Sequence, residues 1–253
     1  PEQCDGPLVI EARTGGVEAL FWLDGRPAGI FNYDPWVRIR GDHRVQRIDE
    51  HPVPGRTIHI AVESYAGHPS PGSQPFETLE SQTLYPAPFT RRFDGIRLCR
   101  RHDDIARFVL DLRALNQLSA SLSSDSFRKG AVDAALVEVF ALVPQEPSGL
   151  PRATWRAALA RAVAVMAPLL ACRNGDTAPF AGLVGHSHMD TAWHWTLDET
   201  IRKCARTYAN ALRLMEQYPE YVFVQSSALH AEWMRRHYPD IFDGIRRRVA
   251  DGR

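Results

Sequence analysis

The chain reads as an α+β, multidomain protein. An antiparallel β-rich module occupies residues 1–102, a helical connector 103–172, and the start of an α/β domain with parallel, barrel-like strands 180–253. Three observations predict this. Apolar and polar residues alternate with period two through the first hundred residues, apolar residues recur at helical spacing from about residue 103, and strand and helix patterns alternate after residue 180.

Taken in order, most of the 18 prolines fall before residue 90. Among them, Trp36-Val37-Arg38-Ile39-Arg40 and Thr57-Ile58-His59-Ile60-Ala61-Val62-Glu63 carry the pattern of half-buried strands in an antiparallel sheet. Asp24-Gly25, between the apolar runs 19–23 and 28–31, signals a hairpin turn, while Pro27 beside it works against strand pairing. Ile105, Phe108, Val109, Leu112, Leu115 and Leu118 then follow helical steps, and residues 127–143 and 152–170 continue them. Pro144, Pro147 and Pro151 make 144–150 a loop, and residues 173–179 mark a boundary. Beyond it, Ala181-Gly182-Leu183-Val184 reads as a short buried strand. Thr196-Leu197-Asp198-Glu199 has the capping-box order that starts a helix. Its apolar stripe, Leu197, Ile201, Cys204, Ala205, Tyr208, Leu212 and Met215, runs to Pro219. A strand over 221–225, a helix from about Ala228 and a helical face at Ile241, Phe242, Ile245 and Val249 complete the alternation.

Composition narrows the function. Thirty basic residues balance thirty acidic ones, giving a formal net charge of zero, which argues against nucleic acid or an anionic membrane as partner. No stretch approaches the roughly 20 uninterrupted apolar residues of a membrane span; the most apolar window, 157–171, is broken by Arg161. The N-terminus shows no basic region, apolar core and cleavage site. Cys4, Cys99, Cys172 and Cys204 stand far apart without a Cys-x-x-Cys pair, the usage of free thiols in a reducing, cytoplasmic compartment.

The chemistry concentrates in Gly185-His186-Ser187-His188-Met189-Asp190-Thr191-Ala192-Trp193. If the chain stays extended past the strand, alternate side chains share a face and His186, His188 and Asp190 converge. Imidazole and carboxylate together suit zinc or another divalent transition metal; a hydrogen-bonded loop cluster is the plainer reading.

From Gly185 onward, GHSHMDTAWHWTLDETIRKCARTYANALRLMEQYPEYVFVQSS and then AEWMRRHYPDIF resemble the opening of the catalytic domain of the glycoside hydrolase family 38 α-mannosidases. The likeness is to the cytosolic or vacuolar branch, which carries His-x-Asp-Thr-Ala-Trp, Glu-Thr-x-Arg-Lys-Cys and Leu-Met-Glu-x-x-Pro-Glu. It is dense over residues 183–253. The resemblance implies that His188 and Asp190 are zinc ligands and that Trp193 lines the sugar subsite, leaving His186 a packing or supporting role. It implies hydrolysis of terminal α-mannosides in mannose-containing glycans with retention, through an aspartate nucleophile and a second carboxylic acid. No catalytic residue of that kind matches within the chain; the nucleophile, the acid and a further zinc His are expected beyond Arg253. The chain then reads as the N-terminal part of a larger enzyme, inactive alone, whose relatives commonly assemble as homo-oligomers through other regions.

His194 and Thr196 depart from an aliphatic residue and a Pro common in relatives, and Ser227, Leu229 and His230 from a Gln-rich stretch. Arg202, Lys203 and Arg206 could orient loops, though a solvated helix face is the default, as it is for Arg246-Arg247-Arg248. Two other classes fit a strand-end His/Asp pair or a β-rich front module: a zinc amidohydrolase or deacetylase, and a non-enzymatic carbohydrate-binding fragment.

Overall fold

A computed structural model describes residues 6–14, 18–32, 43–65, 93–175, 178–179, 181–193 and 195–253. The strand expected at Trp36–Arg40 lies outside them. The described residues form an α+β structure with antiparallel sheets, one short parallel strand pair and six helices. They divide into two compact units: residues 100–181 with Gly6, and residues 7–99 with 182–253.

The first unit is helical. Helices α1 (Asp103–Ser121), α2 (Phe127–Leu142) and α3 (Arg152–Leu170) enclose Phe108, Leu115, Val132, Val139, Leu159, Ala162 and Met166. Ser126 caps α2, its hydroxyl accepting from the Lys129 N–H at 3.4 Å. Among the described residues α3 is the one helix long and apolar enough, by length and composition alone, to cross a membrane. Its Ala158, Leu159, Ala162 and Met166 are buried against neighbouring helices.

In the second unit, β1 (Leu8–Arg13), β4 (Val45–Asp49) and β6 (Gly95–Arg100) make a sheet in the order β4-β1-β6. Strands β2 (Glu18–Leu23), β3 (Arg26–Asn32) and β5 (Ile60–Tyr65) make a second in the order β3-β2-β5. The β2–β3 hairpin turns through Asp24 and Gly25 at φ 49° and 79°, the left-handed pair of a two-residue loop. Pro27 is accommodated because the register slips between Phe21 and Trp22, so Pro27 faces Trp22 at a bulge. Gly29 is required nearby: its φ is 150° and a Cβ would press on the Gln46 side chain at 2.7 Å.

Strand β2 is apolar on both faces because it serves two cores. Ala19 and Phe21 join Ile10, Ala12, Phe31 and Ile48, with Phe21 edge-on to Phe31 at 5.4 Å. Leu20 faces the other way, into Cys204, Ala205, Tyr208, Ala209, Met234 and Ile241. The helices of that second core are α4 (Leu197–Gln217), α5 (Ala228–His237) and α6 (Pro239–Ala250). The residues that carry the site therefore pack directly on the β-rich hairpin.

The strand expected at 181–184 is displaced. Strand β7 is Gly185–His186, paired in parallel with β8 (Phe223–Val224), and Leu183 is 92% exposed. Among the described residues β7 pairs with β8 alone, over two residues, and Leu183 and Val184 stay largely exposed, so their apolar run does not become a buried strand.

Candidate functional site

The parallel pair begins the site. Gly185 donates its N–H to the Val222 carbonyl at 2.7 Å, and a Cβ at this position would overlap the Tyr221 ring. A Gly here leaves room for the Tyr221 side chain. His186 Nδ1 lies 3.1 Å from the Val224 carbonyl, so its imidazole is engaged with β8. Strand β7 ends there, and among the described residues the expected three-way convergence does not form. His188 and Asp190 do come together, Nε2 to Oδ1 at 3.4 Å, with side chains 83% and 43% exposed.

After Asp190 the chain turns sharply under the control of α4. Ala192 sits at φ 58°, a left-handed conformation costing an alanine on the order of 1–2 kcal/mol. Its N–H donates to the Thr200 hydroxyl at 3.0 Å, and that hydroxyl donates to the Thr196 carbonyl at 3.1 Å. Thr200 is fully buried, and Thr196 also caps α4 by accepting from the Glu199 N–H at 3.2 Å. The first turn of the helix thus holds the loop that carries Trp193. Trp193 is 38% exposed and meets Trp195 edge to face at 5.5 Å, its N–H donating to the Trp195 carbonyl at 3.1 Å. Met189, on the other side of the motif, packs into the core with its sulfur 3.8 Å from the Cys204 thiol. Burial pushes that thiol up to about 12, which leaves Cys204 a packing residue and not a nucleophile.

Thr191 is tethered from α5. Its hydroxyl lies 3.1 Å from His230 Nε2, and the Tyr208 hydroxyl lies 3.4 Å from Nδ1. His230 is buried and stacked on Trp233 at 5.6 Å; desolvation lowers its pKa below the ordinary 6.5. Between that lowered value and 6.5 the unfolded chain takes up a proton that the folded chain refuses. Stability from this site is therefore complete above pH 6.5 and lost as the pH falls through the window. The urea midpoint of the wild type is expected to fall more steeply than that of His230→Gln between pH 7 and pH 5; equal slopes would contradict this.

Beside His188 lies a cavity of about 240 Å3 lined by Glu18, Asn32, Lys203 and Arg206 among others. Lys203 Nζ reaches Glu18 Oε1 at 2.6 Å, Arg206 Nε reaches Glu18 Oε2 at 2.8 Å, and Arg206 also pairs with Glu199. Burial alone would raise the Glu18 pKa, but the Arg206 and Lys203 charges outweigh it and hold the carboxyl below its usual value. Arg206 is only 3% exposed, so a solvated face, the default from sequence, does not describe it. Glu18, Thr200 and this network carry no local sequence signal; they become visible only when β2 meets α4.

The donor types of His188 and Asp190 suit a divalent cation, and the pair is close enough to bind one from the same side. Among the described residues no group of three or more His, Cys, Asp or Glu gathers there or elsewhere, so these residues do not by themselves complete a metal-ligand set.

Comparisons with known proteins bear on this segment. The model of the Glycosyl hydrolases family 38 N-terminal domain matches residues 181–253. The chain is 32% identical over 152 residues to Alpha-mannosidase 2C1 of Homo sapiens, covering 60% of this chain and 14% of that protein. It is 33% identical over 79 residues to Alpha-mannosidase G of Dictyostelium discoideum, covering 31% and 7%. It is 39% identical over 62 residues to Alpha-mannosidase of Saccharomyces cerevisiae, covering 24% and 6%. The human match is longer than the segment 181–253, so the likeness reaches into the preceding residues, while the chain spans only about a seventh of that relative's length. Residues 181–253 thus match the glycosyl hydrolase family 38 N-terminal domain, and the relatives to which the chain is similar are alpha-mannosidases.

Proposed function

We propose that the full-length protein is a zinc-dependent retaining α-mannosidase, cytoplasmic, acting on terminal α-D-mannosides, with His188 and Asp190 as two zinc ligands and Trp193 as a sugar platform. The observation that carries this reading is the solvent-facing His188–Asp190 pair at 3.4 Å, within the family 38 segment and three residues before Trp193, whose loop is braced by buried Thr200. Zinc, when bound, supplies a Lewis-acidic anchor for sugar hydroxyls. The chain's own residues do the rest of what falls to this segment. His188 offers a neutral imidazole nitrogen, Asp190 a carboxylate, and Trp193 a flat apolar surface for the CH-rich face of a pyranose. The parallel β7–β8 pair with a helix after each strand suits the opening of a parallel, barrel-like α/β domain, with the site just past the C-terminal end of its first strand.

The two carboxyl groups of a retaining glycosidase have no motif match in residues 1–253, and the reading assigns them, with the remaining zinc ligands, to sequence outside this chain. A polypeptide of residues 1–253 is accordingly expected to release no product from an aryl α-mannoside that the full-length protein hydrolyses. Zinc-dependent turnover by residues 1–253 alone would overturn that division of labour.

A further inference from the structure

We propose that Glu18, on strand β2 of the β-rich module, is a positioning residue for the sugar platform, setting the Trp193–Trp195 pair through Lys203. The proposal rests on the reading of Trp193 as a platform and adds to it a residue from the other end of the chain. Lys203 Nζ is held at 2.6 Å by Glu18 Oε1 and lies 4.5 Å from the centroid of the Trp195 ring. Trp195 in turn meets Trp193 edge to face at 5.5 Å, and its carbonyl accepts the backbone N–H of Trp193. The path from Glu18 to the exposed indole is therefore continuous.

Each link depends on the one before it. A lysine ammonium is strongly hydrated on a flexible stem, and without a fixed anion it turns to water sooner than stay over an indole. Glu18 is such an anion because Arg206 Nε fixes its second oxygen at 2.8 Å, and Arg206 is itself tied to Glu199 in the first turn of α4 and lies over the Tyr65 ring of β5 at 5.4 Å. Trp195 Nε1 is buried and finds no hydrogen-bond acceptor among the described residues, so ring contacts, with Lys203 on one face, set its orientation. The hairpin thereby takes part in the sugar site without touching the sugar.

The test uses the full-length protein and the variants Glu18→Gln, Lys203→Met and Trp193→Ala. For Glu18→Gln and Lys203→Met, KM for an aryl α-mannoside is expected to rise about five-fold while kcat stays within about two-fold, the signature of lost ground-state positioning. Bound zinc is expected to remain at the wild-type level, and the near-ultraviolet circular dichroism of the tryptophans to change. Lys203→Met leaves Arg206 between Glu18 and Glu199, so it reports on the link even if Glu18→Gln unfolds. A raised KM in Trp193→Ala with an unchanged KM in Lys203→Met would overturn the positioning role and leave the platform reading in place. An unchanged KM in Trp193→Ala would overturn the platform reading itself. A near-ultraviolet spectrum of Lys203→Met identical to wild type would overturn the link whatever the kinetics show.

Discussion

Asp190→Ala in the full-length protein is expected to lower kcat/KM for an α-mannoside by at least about a hundred-fold and to release bound zinc, with little change in melting temperature. The effect separates into these parts because of where the residue sits. His188 is exposed and Asp190 partly so, and their mutual contact at 3.4 Å is the kind of surface pair worth roughly 0–1 kcal/mol to stability. Removing the carboxylate therefore takes away the proposed ligand without opening a cavity or stranding a buried charge. His188→Ala is expected to behave the same way, and metal analysis by mass spectrometry alongside the kinetics checks both. An Asp190→Ala protein with full zinc and wild-type kcat/KM would remove this pair from the metal site.

Arg206→Met is expected to do the opposite: to cost stability first. Arg206 and Glu199 are each 3% exposed and paired, and Arg206 also neutralises Glu18. Breaking a buried pair from one side leaves an uncompensated charge and costs about 3–5 kcal/mol. In a unit of this size that lowers the melting temperature by roughly 10 °C. Adding Glu199→Leu to Arg206→Met is expected to recover part of the loss, since an apolar pair needs no counter-charge. Denaturant midpoints of the two variants decide the matter, and a single variant as stable as wild type would show that the pair contributes nothing.

The two predictions fall on residues of very different visibility in the sequence. His188, Asp190 and Trp193 share one short motif, and the hairpin at Asp24-Gly25, the Thr196 cap and the apolar stripe of α4 from Ile201 to Met215 all announce themselves through local chemistry, whereas Leu197, at the head of that stripe in the sequence, is exposed. Pro27 argued against the hairpin, but a bulge removes the conflict, and bulges have no reliable sequence mark. The run 181–184 misled because apolarity reports a tendency to be buried, and burial depends on neighbours the run does not contain. An extended chain would group His186 with His188 and Asp190; the strand stops at His186, whose imidazole is engaged with the Val224 carbonyl of β8 instead. Glu18 and Arg206 were least legible of all. Charged residues at separate ends of a sequence default to solvent, and only the packing of β2 on α4 turns them into a buried network.

The most direct test of the central claim is the rate of aryl α-mannoside hydrolysis by the full-length protein before chelation, after it, and after zinc is restored. The account predicts activity that disappears with the metal and returns with zinc in the wild type, and that zinc does not restore in Asp190→Ala. Hydrolysis undiminished by complete removal of metal, or no α-mannoside hydrolysis by the zinc-loaded protein, would contradict it.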